Sequence, residues 1–125
     1  MRVLLTGATG FLGSHLAHAF VSAGHEVAAV VRSSSNTRRL SAILSKLSMV
    51  DVSSLEESLA AFRPEAIVHT ATCYGRQGEP ISELVKTNVL FPLRLLKHAV
   101  DSRIALFINA DTTLPSDLNG YTLSK

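Results

Sequence analysis

Cysteine occurs once in this 125-residue chain, at Cys73. No disulfide can form within the chain, which suits a reducing compartment. Charge of one sign is not in excess, because 12 Lys and Arg against 10 Asp and Glu leave a formal charge of +2. Apart from Arg38-Arg39 the basic residues are scattered, which gives no nucleic-acid stripe. No apolar run approaches the roughly 18 residues that cross a bilayer. The opening MRVLLTGATGFLGSHLAHAF begins like a secretory leader, but three glycines and two histidines interrupt it. No small-residue cleavage site follows cleanly, so the segment reads as the start of the fold. A cytoplasmic protein without nucleic-acid or membrane partners is expected. What is present, 46% apolar and 18% charged residues, is globular composition and excludes disorder. One compact domain is the ceiling at this length.

Apolar runs alternate with helical periodicity. Arg2–Leu5, Glu26–Val31, Leu47–Val52, Ala66–His69 and Ile104–Ile108 read as buried strands. Leu16, Ala19, Phe20 and Ala23 recur at helical spacing over Ser14–Ala23, and Gly24 stands where a helix-ending glycine belongs. Residues 33–46 carry a weaker helical pattern through Leu40, Ile43 and Leu44. Ser53 and Glu56 form a capping box for a helix lined by Leu55, Leu59 and Phe62, which Pro64 stops. A long helix is expected from Ile81 to Val100, with a kink near 88–91 before Pro92. After a polar loop, Gly120–Lys125 begins another helix. Strands alternating with helices imply an α/β fold, a Rossmann-like doubly wound parallel sheet. The last helix has barely begun at Lys125, so residues 1–125 are expected to be an incomplete domain of about five strands. Its further strands would then lie outside it.

The first strand runs into Gly7-Ala8-Thr9-Gly10-Phe11-Leu12-Gly13, and a helix opens directly after it. Gly7 permits the tight turn, Gly10 permits close approach of a pyrophosphate, and Gly13 permits close packing of the helix. The amides and dipole at the helix start then face the phosphates. The spacing is GxxGxxG, not the GxGxxG dinucleotide fingerprint.

TGATGFLGSHL resembles the opening of the extended short-chain dehydrogenase/reductases, the NAD(P)-dependent epimerase/dehydratase family. Other segments are similar to that family's in the same order: Asp51-Val52 after strand three, Ile67-Val68-His69-Thr70-Ala71 at strand four, Thr87-Asn88-Val89, and Tyr121-Thr122-Leu123-Ser124-Lys125 as a YxxxK pair. The resemblance covers the whole chain, and it implies that residues 1–125 are an incomplete NAD(P)-binding Rossmann domain whose C-terminal strands and substrate lobe lie outside it, a piece expected to bind weakly and not to turn over. It implies cofactor contacts from Gly7, Thr9, Gly10, Phe11, Leu12, Gly13, Arg32, Asp51, Val52, Thr70, Ala71 and Lys125. It also implies an enzyme of nucleotide-sugar metabolism, an epimerase, dehydratase or reductase working by hydride transfer. The alternatives are a reductase of a non-sugar carbonyl of the dihydroflavonol-reductase kind, and a non-catalytic dinucleotide sensor. Relatives commonly pair as homodimers through the helix after strand four and the one bearing the Tyr–Lys pair.

Hydride transfer at a carbon bearing oxygen needs a proton partner for that oxygen. A free tyrosine, with a pKa of about 10, is a poor base at neutral pH. A neighbouring ammonium favours the phenolate, and residues four apart share a helix face. The resemblance therefore makes Tyr121 the general acid/base and Lys125 its partner. It places a small hydroxyl past strand five at Thr112, with Thr113 or Asp111 as register alternatives in Asn109-Ala110-Asp111-Thr112-Thr113. Arg32 stands after strand two where NAD-dependent relatives tend to carry an acid. An arginine can bind a 2′-phosphate bidentately, with Arg38 and Arg39 near it in sequence. NADP(H) is thus favoured over NAD(H). No metal-ligand spacing links the histidines with Cys73. His69 reads as a packed, satisfied side chain, Asn88 as a residue that caps or kinks its helix, and Tyr74-Gly75-Arg76 as either a pocket wall or a plain loop.

Overall fold

The structure, a computed structural model, describes residues 1–115 and 117–125. Among the described residues, five strands build one sheet: β1 (Arg2–Thr6), β2 (Glu26–Val31), β3 (Leu47–Asp51), β4 (Ala66–His69) and β5 (Leu106–Asn109). Their order is β3-β2-β1-β4-β5, and every neighbouring pair is parallel. The chain winds one way from β1 to β3 and the other way through β4 and β5. The order therefore reverses between β1 and β4, where open α/β sheets present a crevice at the carboxyl ends of their strands. This is the expected doubly wound sheet.

Alternate residues of each strand feed two cores. Val3, Leu5, Val27 and Ala29 pack with Ala17 of α1 (Phe11–Ser22) and with Leu40 and Ile43. Leu4, Ala28, Val30 and Ile67 pack on the other face against α2 (Leu55–Phe62) and α4 (Phe91–Asp101). Leu4 and Leu5, on opposite faces, are both fully buried, and each contributes about 2 kcal/mol of apolar burial. No helix of the described residues is long and apolar enough to cross a membrane.

Several local expectations shift. Helix α1 starts three residues early, at Phe11, so Gly13 lies inside its first turn. The weak helical pattern over 33–46 yields only 3₁₀ turns at Arg38–Leu40 and Leu44–Lys46. There the backbone bonds run at a period of three, from Leu40 to Thr37, Ile43 to Leu40 and Lys46 to Ile43. Leu40 and Ile43, three apart, both enter the core on that period, which an α-helix would carry less well. The Ser53–Glu56 capping box does not form. Ser53 gives its amide and its hydroxyl to Asp51 Oδ1, at 2.8 and 2.6 Å, so Asp51 caps a 3₁₀ turn over Val52–Ser54 instead. Helix α2 stops at Phe62, with Arg63 left-handed at φ 50° before Pro64.

The long helix is interrupted as expected. It runs as α3 (Ile81–Val85), a π turn over Lys86–Leu90, and then α4. Pro92 falls in the first turn of α4, directly after the π turn. Strand β5 begins two residues later than expected, because Ile104 packs into the second core beside Phe107 before the strand starts.

Candidate functional site

The glycine turn sits at the carboxyl end of β1, between the reversing strands. Gly7 has φ +69°, and a Cβ there would lie 2.6 Å from the Ala71 nitrogen and 2.7 Å from the Thr70 carbonyl carbon. A Cβ at Gly13 would lie 2.1 Å from the Gly7 carbonyl oxygen, so the first turn of α1 rests directly on the glycine turn. A Cβ at Gly10 would meet only that same oxygen, at 3.2 Å, and Gly10 itself is exposed. The turn is closed by the Gly10 amide donating to the Gly7 carbonyl at 2.9 Å.

The first amides of α1 have no acceptor within the helix, and no side chain caps them. Gly10, Phe11 and Leu12 are exposed, while Ala8 and Gly13 are buried beneath. The result is an open shelf of backbone donors with the helix dipole behind it, which fits a diphosphate. Two surface hollows lie elsewhere, at the amino ends of the strands, around Arg2, Glu26 and Arg63 and around Pro64, His98 and Ile104.

Behind the shelf, β1 and β4 are tied by hydrogen bonds. Thr70 Oγ1 donates to the Thr6 carbonyl at 2.7 Å, and the Ala71 amide donates to Thr6 Oγ1 at 3.4 Å. Thr6 Oγ1 also bonds His69 Nδ1 at 2.7 Å. Thr70 and Ala71 thus form the back wall against which Gly7 is pressed. His69 is fully buried, as expected, but it is not satisfied: its Nε2 has no hydrogen-bond partner among the described residues. The ring lies edge-on to Phe91, at 5.6 Å between centroids. Burial, and then the positive charge of Lys125, push the His69 pKa down to about 4.

At the ends of the flanking strands, Arg32 and Asp51 reach the same edge of the sheet by the parallel register. Arg32 is exposed, and its backbone closes a turn with Ser35, the amide donating to Ser35 Oγ at 3.0 Å. Its guanidinium has no partner among the described residues. Asp51 is held below the ordinary carboxylate range by the Ser53 hydroxyl and amide, and Val52, half-buried, packs beside the second core. Thr9 is half-buried in the glycine turn.

The Tyr–Lys segment is fixed by side chains. Helix α5 (Gly120–Leu123) opens on a reciprocal cap, Asn119 Oδ1 accepting from the Thr122 amide at 3.0 Å and Thr122 Oγ1 from the Asn119 amide at 3.1 Å. Lys125 follows α5 by two residues. Its Nζ donates to the Ala110 carbonyl at 2.7 Å, and the Ala110 amide donates to the His69 carbonyl at 2.9 Å. The ammonium is therefore docked on the carboxyl end of the β4–β5 ladder. Burial lowers its pKa and the Asp111 carboxylate opposes that shift.

Thr112 stands apart. Its Oγ1 accepts from the Leu114 amide at 3.3 Å, and its own amide donates to Asp111 Oδ1 at 2.8 Å. None of its bonds reaches Tyr121 or Lys125.

Asn88 does more than kink a helix. Buried in the π turn, it accepts from the Cys73 amide through Oδ1 and donates to the Cys73 carbonyl through Nδ2, each at 2.8 Å. The same Nδ2 donates to Ser124 Oγ at 2.8 Å, and Ser124 Oγ donates to the Tyr121 carbonyl at 2.8 Å. One amide thus joins the loop after β4 to the Tyr–Lys turn, and the π turn aims it there. The sequence signal was the asparagine just ahead of Pro92 in a helix that had to accommodate an extra residue.

Comparison with known proteins agrees with this geometry. The NAD dependent epimerase/dehydratase family matches residues 3–117. CDP-abequose synthase of Salmonella muenchen is 36% identical over 111 residues, which cover 89% of this chain and 37% of that protein. The solved structure of Bordetella bronchiseptica WbmG in complex with NAD and UDP superposes with a TM-score of 0.82 at 26% identity, over 100% of this chain and 46% of that one. WbmH of the same organism, in complex with NAD+, gives a TM-score of 0.86 at 20% identity, over 99% of this chain and 48% of that one. The chain spans less than half the length of each of these proteins.

Proposed function

The chain belongs to the NAD dependent epimerase/dehydratase family, and from that premise we propose that it is the dinucleotide-binding part of an oxidoreductase that acts on a nucleotide sugar. The observation that carries the proposal is the steric cradle at Gly7 and Gly13, open at the amino end of α1 and sharing one sheet edge with Tyr121 and Lys125. The similarity to CDP-abequose synthase and to a protein solved with NAD and UDP supports the substrate class.

A nicotinamide dinucleotide, when bound, supplies the hydride donor or acceptor. The residues of the chain do the rest. Amides of the glycine turn and of Phe11 to Gly13 hold the diphosphate, and Thr9 lies at its side. Thr70 and Ala71 wall the turn, and Asp51 and Val52 face the adenine. Tyr121 exchanges a proton with the sugar oxygen. Lys125, docked on Ala110, supplies positive charge beside that phenol and bonds the nicotinamide ribose. Thr112, or its neighbours Asp111 and Thr113, contributes a polar contact to the same oxygen. The unpartnered guanidinium of Arg32 supports NADP(H), because a 2′-phosphate would give it a bidentate acceptor. Ile81, Val85, Leu93, Leu96 and Val100 are exposed along the long helix, which supports pairing of two copies there.

Isothermal titration of the full-length protein with NADPH and NADH tests the reading. The expected result is binding of both, with NADPH tighter by about tenfold and that margin removed in Arg32→Ala, as loss of a charge-assisted phosphate contact would do. Tighter NADH binding, unaffected by Arg32→Ala, overturns the NADP(H) preference. Binding of neither overturns the functional reading.

A further inference from the structure

The loop after β4 carries an aromatic contact that the proposed chemistry has not used. The ring of Tyr74 lies on the ring of Tyr121, with centroids 5.0 Å apart and planes tilted by 45°. On Tyr74, the Arg76 guanidinium carbon sits 5.0 Å from the ring centroid. Arginine, Tyr74 and Tyr121 thus form a ladder, each step at a distance where stacking and cation–π attraction operate.

The ladder is built rather than incidental, because two further contacts pin the same two segments together. Asn88 holds both the amide and the carbonyl of Cys73, the residue before Tyr74, and reaches Ser124 of the Tyr121 turn. Buried Leu84 fills the space under Gly75 and Gly120, the residues next to each tyrosine. A Cβ at Gly75 would meet its side chain at 3.3 Å, and one at Gly120 at 3.4 Å. Gly75 has φ +69°, the left-handed turn that brings Arg76 back over the ring.

We propose that Tyr74 and Arg76 are positioning residues for Tyr121, with the Tyr74 ring setting the tilt of the phenol and Arg76 holding the Tyr74 ring in place. The proposal rests on the reading of Tyr121 as the acid/base group, since an acid/base phenol needs a fixed orientation toward the oxygen it serves. It deepens that reading by making the loop after β4, not the cofactor, the support of the phenol.

The composition supplies a clean test. The chain has no tryptophan and two tyrosines, Tyr74 and Tyr121. Both Tyr74→Phe and Tyr74→Ala therefore leave Tyr121 as the sole emitter. In Tyr74→Phe the stack is kept, so Tyr121 should retain its near-ultraviolet dichroism and low acrylamide quenching. In Tyr74→Ala the dichroism should collapse and the quenching constant rise by about twofold, as expected for a ring that loses one covered face. Arg76→Ala, with both tyrosines intact, should weaken the near-ultraviolet signal, and Arg76→Lys should restore part of it. Far-ultraviolet dichroism checks that each variant is folded. If Tyr74→Ala does not fold, the Arg76 pair decides. Equal quenching in the Phe and Ala variants, or no change in Arg76→Ala, overturns the proposal. Cofactor titration is a separate readout. Unbound NADPH together with a lost Tyr121 signal refutes the functional reading and leaves the ring geometry standing. Bound NADPH with an unchanged Tyr121 signal does the reverse.

Discussion

The two ends of the candidate site are held by different physics. The glycine turn is held by backbone against backbone, with Gly13 on Gly7 and Gly7 on Thr70 and Ala71, above strands that are buried on both faces. The Tyr–Lys turn is held by side chains, through the Asn119–Thr122 cap, the Asn88 bridge and the Lys125–Ala110 bond. Its strand, β5, leaves Leu106 and Ile108 exposed. The first arrangement has no room for a side chain at Gly7 or Gly13. The second is a set of separate bonds, each removable at modest cost. The candidate binding cradle and the candidate acid/base turn are accordingly built from the two kinds of contact.

The largest expected effect lies in the cradle. Gly13→Ala places a methyl 2.1 Å from the Gly7 oxygen, which backbone alone must relieve. A loss of about 3–4 kcal/mol in urea denaturation is expected, at the upper end of single substitutions. A loss below about 1 kcal/mol, typical of a surface change, would dissolve the contrast between the two ends.

His69 lies at the seam, bonded to Thr6 behind the cradle, its pKa lowered by burial and then by Lys125 from the other end. Its folded pKa of about 4 is below its ordinary value of 6.5, so the unfolded chain binds the proton more readily. Stability is then fully present above the ordinary value and is lost as pH falls from there toward 4. Between pH 7 and pH 5 the loss should reach about 2 kcal/mol at 1.36 kcal/mol per unit. His69→Gln should flatten that slope in denaturation series at the two pH values. An unchanged slope would remove His69 as its source.

The smallest effect belongs to the Tyr–Lys turn. Asn119→Ala removes one half of the reciprocal cap and should cost about 1 kcal/mol. Hydrogen exchange should show the Thr122 amide losing protection while the amides of β1 keep theirs. Loss of protection in β1 as well would mean that the two ends are one cooperative unit.

Legibility in the sequence follows the same division. The turn from β1 into α1 was readable from spacing, because tight turns and helix packing constrain residues that are near in sequence. Strand β2 and strand β4 fell where apolar runs placed them, since a strand buried on both faces must be apolar throughout. The weak pattern over 33–46 misled because Leu40 and Ile43 satisfy a period of three as well as one of 3.6. The bond from Lys125 to the Ala110 carbonyl was not readable, because it joins residues 15 positions apart across separate elements.

Local order thus settled the five strands, the parallel sheet and the glycine turn, because each rests on steric rules acting over a few residues. Only the tertiary fold decided that Asn88 would bridge Cys73 and Ser124, that Tyr74 would lie on Tyr121, and that His69 would be left with an unpaired nitrogen. Those contacts join residues 15 and 36 positions apart for Asn88, and across separate elements for the rings. Their partners are chosen by how the sheet brings strand ends together, and no spacing rule along the chain encodes that choice.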